Sequence, residues 1–147
     1  MEKAIRRLLF EQVLLNESYP FTSNSGEYEF TNKDGLHFHV RFYNQGDGYY
    51  VRCYGTKEYG ESEINGTDAF GILSTVSKIT LDFIKKYQPV IIQINHNNTK
   101  KEHNLSRSYT NKRALANKRF LERIIPDNYT YELNGSSSTI RKKSDNN

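Results

Sequence analysis

Asp68-Ala69-Phe70-Gly71-Ile72-Leu73-Ser74-Thr75-Val76-Ser77-Lys78-Ile79-Thr80-Leu81-Asp82-Phe83-Ile84-Lys85-Lys86-Tyr87-Gln88-Pro89, followed directly by Val90-Ile91-Ile92-Gln93-Ile94, is the stretch on which the fold turns. Apolar residues recur every three or four positions from Ala69 to Tyr87, the period of a helix with a buried face. Thr67 or Asp68 can cap its start. Lys85 and Lys86 sit where the helix dipole favours cations, and Pro89 ends it. The run Val90–Ile94 is short and nearly continuous in apolar character, which predicts a central strand covered on both faces.

Upstream the period changes from helical to two. Glu27–Thr31 alternates charge and aromatic. Asn32-Lys33-Asp34-Gly35 reads as a tight turn, since Asp-Gly supplies positive φ. From Leu36 to Tyr43, Phe38, Val40 and Phe42 share one face and His37, His39, Arg41 and Tyr43 the other. After Asn44–Gly48, Tyr49–Tyr54 places Tyr49, Val51 and Cys53 opposite Tyr50, Arg52 and Tyr54. Three strands with short turns form an antiparallel meander. Residues 2–15 predict an amphipathic helix, 16–26 a loop and 55–67 a loop carrying Glu58, Glu61 and Glu63. Downstream, a helix from Ser106 to about Ile124 has Leu115, Phe120, Leu121 and Ile124 as its apolar positions. A strand follows at Tyr129–Leu133, then a short edge strand at Ser138–Arg141. The expected architecture is α+β: the meander plus a βαβαβ unit, with helices packed on a mixed sheet. Residues 1–141 are expected to form one domain and 142–147 a polar tail.

Composition narrows the setting. The chain has 147 residues, a formal net charge of +4, 11 Tyr and 8 Phe, which suits one domain with an aromatic core. No run reaches the ~18–20 apolar residues of a membrane span. The first residues, Met1-Glu2-Lys3-Ala4-Ile5-Arg6-Arg7, lack the apolar core of a signal peptide. The expectation is therefore a protein not secreted by a signal peptide and with no membrane partner. The single cysteine, Cys53, cannot form an intrachain disulfide and reads as a small buried residue.

From Tyr49 to Leu133 the order strand, loop, long helix, strand, helix, strand resembles the core of the GNAT acyltransferase superfamily. Gly66-Thr67-Asp68-Ala69-Phe70, Ser74-Thr75-Val76, Asp82-Phe83-Ile84, Pro89 and Ser106-Arg107 are similar to small phage-encoded proteins of unassigned function with such a core. The resemblance implies an acyltransferase-like mixed sheet. It does not carry the activity over, because fold and function separate. The family's pyrophosphate loop runs Gln/Arg-x-x-Gly-x-Gly/Ala. Anchored on Gly66, this chain has Glu63 at the first position and Asp68 at the last. Both carboxylates oppose an anion at the helix N-terminus, so neither a cofactor nor a catalytic residue is assigned.

Three constellations remain. His37 and His39 form a His-x-His pair able to ligate a metal, with His96 and His103 elsewhere; the expected role is two half-exposed strand histidines. Tyrosines 43, 49, 50, 54, 59, 109, 129 and 131 offer adhesive surface for an interface. The sharpest asymmetry is charge: residues 100–147 hold 11 Lys and Arg against 5 Asp and Glu. Within them Lys112, Arg119 and Arg123 share one helix side and Lys118 lies at its edge. These four are the candidate partner-binding residues, for an anionic surface. The expected function is a non-catalytic phage-type accessory protein that binds a macromolecule, as a virion component or host-directed factor. A protein partner or self-assembly leads, nucleic acid is the other anionic partner, and an acyl-CoA-dependent N-acyltransferase is the enzymatic alternative.

Overall fold

The computed structural model describes Ile5 and residues 18–55, 69–95, 112–135 and 137–144. The expected helix 2–15, the acidic loop, His96, His103 and the segment from Ser106 to Asn111 lie outside the described residues, apart from Ile5, which is helical. The strands are β1 (Phe21–Asn24), β2 (Glu27–Thr31), β3 (His37–Gln45), β4 (Gly48–Gly55), β5 (Ile91–Asn95), β6 (Tyr129–Asn134) and β7 (Ser137–Lys142). Helix α1 (Ala69–Tyr87) joins β4 to β5, and helix α2 (Lys112–Ile124) lies between β5 and β6 in sequence. The protein is α+β, with one seven-stranded mixed sheet in the order β1-β2-β3-β4-β5-β7-β6. Among the described strands only the β4–β5 pair is parallel, as the α1 crossover between them requires.

The alternation read from β2, β3 and β4 sets the two faces of the sheet. Tyr28, Phe30, Phe38, Val40, Val51, Ile92, Ile94 and Ile140 are buried toward the helices, in one cluster with Ile72, Val76, Ile79, Phe83 and Ile84 of α1 and Phe120, Leu121 and Ile124 of α2. Phe83 is its hub. Its ring stacks on Phe42 at 3.8 Å and meets Tyr49 edge-on at 5.0 Å. Within this layer Thr75 Oγ1 accepts from the Tyr19 amide and donates to the Gly71 carbonyl, and Tyr28 donates to Asp82. Gly48 opens β4 beside Ile91 of β5. A Cβ there would lie 2.7 Å from the Ile91 carbonyl oxygen, so no side chain fits without moving backbone.

Several local expectations are corrected. Residues 21–24 form strand β1 rather than loop, tied to β2 through Ser25 and Gly26, both with positive φ. This is the twist that two-residue hairpins need. The β2–β3 turn falls where Asn32–Gly35 was expected, with the Gly35 amide donating to the Asn32 carbonyl and Gly35 at positive φ; beyond the expectation, buried Asn32 accepts the Asp34 and Leu36 amides on Oδ1. β5 is central in the sheet but buried on one face only: Ile92 and Ile94 are buried, while Gln93 and Asn95 are exposed and Val90, just before it, is 56% exposed. β7 is not an edge strand, because it pairs with both β5 and β6, which itself forms the edge. It runs to Lys142, and the Lys143 amide donates to the Asn128 carbonyl.

Candidate functional site

Helix α2 presents two unlike sides. At 3.6 residues per turn, Ala114, Asn117, Phe120, Leu121 and Ile124 fall on one side, and all five are buried. Asn117 Oδ1 accepts from the Tyr131 hydroxyl at 3.3 Å, and Tyr131 also bonds Ser138 at 2.6 Å, which fixes the rotation of α2 over β6 and β7. Burial pushes the Tyr131 hydroxyl up to about 12, with the Ser138 bond acting the other way. Leu115, expected in the core, is 44% exposed. Ala114 and Asn117 take the buried phase instead, and Leu115 turns to the outer side.

That outer side is the basic one. Arg119 and Arg123 are exposed one turn apart and Lys118 is half-buried beside them. Glu122 interrupts the group and lies 4.0 Å from Lys118, a long i,i+4 pair of two open side chains. Such a pair contributes little, so the side remains net positive. Lys112 begins the helix, but its side chain lies outside the described ones. Beyond the end of α2, Glu122, Ile125, Pro126, Asp127, Tyr129, Thr130, Tyr131 and Lys143 line an open cleft of about 270 Å³.

The tyrosines divide. Tyr49 packs against the core, Tyr129 is buried and donates to the Pro89 carbonyl at 2.6 Å, and Tyr131 belongs to the α2 contact. These three help hold the fold together; Tyr43 is exposed and Tyr50 half-buried on the face away from the helices, and the side chains of Tyr54, Tyr59 and Tyr109 lie outside the described ones. Cys53 faces Val40 across the β3–β4 ladder, and burial pushes its thiol up to about 12.

On that same helix-free face the ladder gathers a group only half legible in sequence. Glu29 of β2 is opposite His39 of β3, and Thr31 is opposite His37. Glu29 Oε1 lies 3.1 Å from His39 Nδ1 and 3.6 Å from His37 Nε2. The two imidazoles meet edge-to-face with centroids 5.1 Å apart, and His37 Nδ1 is 3.0 Å from Thr31 Oγ1. One ligand atom from each of Glu29, His37 and His39 lies within 4.8 Å of the others. Glu29 was not visible as a partner because only the strand register brings it there. Next to this group, Arg41 pairs with Glu27.

Among the described residues no helix is long and apolar enough to cross a membrane. No protein-family model, curated protein or solved structure matches this chain.

Proposed function

We propose that this chain is a non-catalytic accessory protein that works by binding an anionic macromolecule, with an acidic protein surface as the leading partner. The observation that carries the reading is the outer side of α2, where Lys118, Arg119 and Arg123 outnumber Glu122, the one carboxylate of the helix itself, while the opposite side is packed into the core. A helix packed on the sheet with several cations on its outer side is a suitable surface for an extended acidic partner. Residues 1–99 carry net negative charge, which favours protein over nucleic acid, since phosphate backbones reward positive charge over a wide footprint. The phage-type setting, as a virion component or host-directed factor, rests on the family resemblance.

The experiment is titration of a labelled polyglutamate peptide by fluorescence anisotropy. Wild type is expected to bind. The triple reversal Lys118→Glu, Arg119→Glu and Arg123→Glu is expected to weaken binding by about tenfold or more, since each reversal replaces attraction with repulsion. Its melting temperature should shift little, because exposed charges contribute only ~0–1 kcal/mol each. Equal binding by both proteins would show that the basic side is merely solvated. Tighter binding to a DNA duplex, with log affinity falling steeply against log salt, would replace the protein partner with nucleic acid.

A second reading has its own support. The succession β4–α1–β5–α2–β6, with β4 and β5 parallel, agrees with the order that the acyltransferase resemblance calls for. In open sheets of this kind, ligands enter beyond the carboxyl ends of parallel strands. The departure at Glu63 and Asp68 weighs against an acyl-CoA there, and the two readings part on whether acetyl-CoA binds.

A further inference from the structure

We propose that Glu29, His37 and His39 form a binding site for a divalent transition-metal ion of the zinc class. The site does not involve the basic helix and stands independently of the function proposed above.

The backbone holds the donors together. Glu29 and His39 are direct cross-strand partners, and His37 is the next residue along β3 on the same face. No loop has to close to bring them near one another. The separations suit a shared ion. Two ligand atoms, each ~2.0–2.1 Å from one ion and set at ordinary coordination angles, lie roughly 3–3.4 Å apart. The observed pairs to Glu29 Oε1 are 3.1 and 3.6 Å. Rotation of exposed side chains covers the remaining adjustment: the His37 and Glu29 side chains are 42% and 45% exposed, with His39 the anchored member at 16%.

The hydrogen-bonding chemistry points the same way. When His37 Nδ1 carries its proton and donates to Thr31 Oγ1, Nε2 presents a lone pair toward the Glu29 carboxylate. The same oxygen faces Nδ1 of His39. In the metal-free protein either ring nitrogen can carry a proton and donate to the Glu29 carboxylate; a metal ion takes the place of those protons and accepts a lone pair from all three groups at once. Thr31 then plays the outer part found around metal-bound histidines, fixing the tautomer and the ring orientation. Two imidazoles and one carboxylate select zinc-like ions over magnesium or calcium, which prefer oxygen donors. Three protein ligands leave a coordination position for water or another ligand.

The test is calorimetric titration of the full-length, metal-free protein with zinc chloride in excess magnesium. One equivalent of zinc is expected to bind and to raise the melting temperature. Glu29→Gln and His39→Gln should each weaken binding by at least about tenfold, and Thr31→Val by about tenfold. The double variant His96→Gln with His103→Gln should bind as wild type does. Melting curves without zinc identify any variant whose fold has changed, and Thr31→Val with intact Glu29, His37 and His39 provides a milder probe. Absence of zinc binding, or equal binding after His37→Gln with His39→Gln, overturns the proposal.

Discussion

Phe83→Ala is expected to destabilise the protein by about 3–5 kcal/mol, the cost of removing a fully buried aromatic ring from a site that cannot collapse. The site is held open from several directions. Phe42 of β3 stacks on Phe83, Tyr49 of β4 meets its edge, Tyr87 lies one turn along α1, and the Gly26 backbone approaches from the β1–β2 turn. Removing the ring therefore strips contacts from two strands, a helix and a turn together, and the ladder prevents β3 and β4 from moving in to fill the gap. At a few degrees per kcal/mol for a chain of this size, the melting temperature should fall by roughly 10 °C. Equilibrium denaturation gives the same quantity directly. A change below ~0.5 kcal/mol, the scale of surface substitutions, would contradict the packing of α1 on the sheet.

The second large effect concerns Cys53. Alkylation by iodoacetamide at pH 8 is expected to run about 10²–10³-fold slower in the folded protein than in denaturant, because the thiolate is the reacting species. Burial of the sulfur pushes the thiol up to about 12, so the thiolate fraction at pH 8 is very small. The sign of the pH dependence follows. The folded-state rate should keep rising nearly tenfold per pH unit beyond pH 9, while an open thiol levels off near its ordinary value of ~8.5. A fast reaction that levels off at pH 9 would mean that Cys53 does not face the helices as Val40 and Val51 do. The expectation of an inert, small core-facing residue would then fail.

How much of this was legible in the sequence depends on the kind of signal. Strand β2 and helix α1 were read nearly to the residue, because each has an uninterrupted period and one buried side. β1 was missed because Phe21–Asn24 is mostly polar and exposed; its strand character comes from pairing with β2 and from the Ser25-Gly26 turn. Leu115 misled because it fits a helical period about as well as Ala114 and Asn117 do. The choice of phase is made in space, by the Asn117–Tyr131–Ser138 contact. β7 looked like an edge because sequence order places it last, whereas the long return through α2 inserts it between β5 and β6. The same limit applies to function. The basic residues of α2 were visible as a run of cations, and His37 and His39 as a pair on one face. Glu29 could join them only once the β2–β3 register was known, since the sequence locates the turn at Asn32–Gly35 but not the residue pairing across it.

The claim that this scaffold acts by binding a macromolecule, and not by acyl transfer, is tested most directly by calorimetry on one preparation with two ligands, acetyl-CoA and a polyglutamate peptide. The account predicts saturable heat with the peptide, and no acetyl-CoA binding tighter than about millimolar, near −4 kcal/mol. Micromolar binding of acetyl-CoA with no response to the peptide would contradict it and make the acyltransferase reading the correct one.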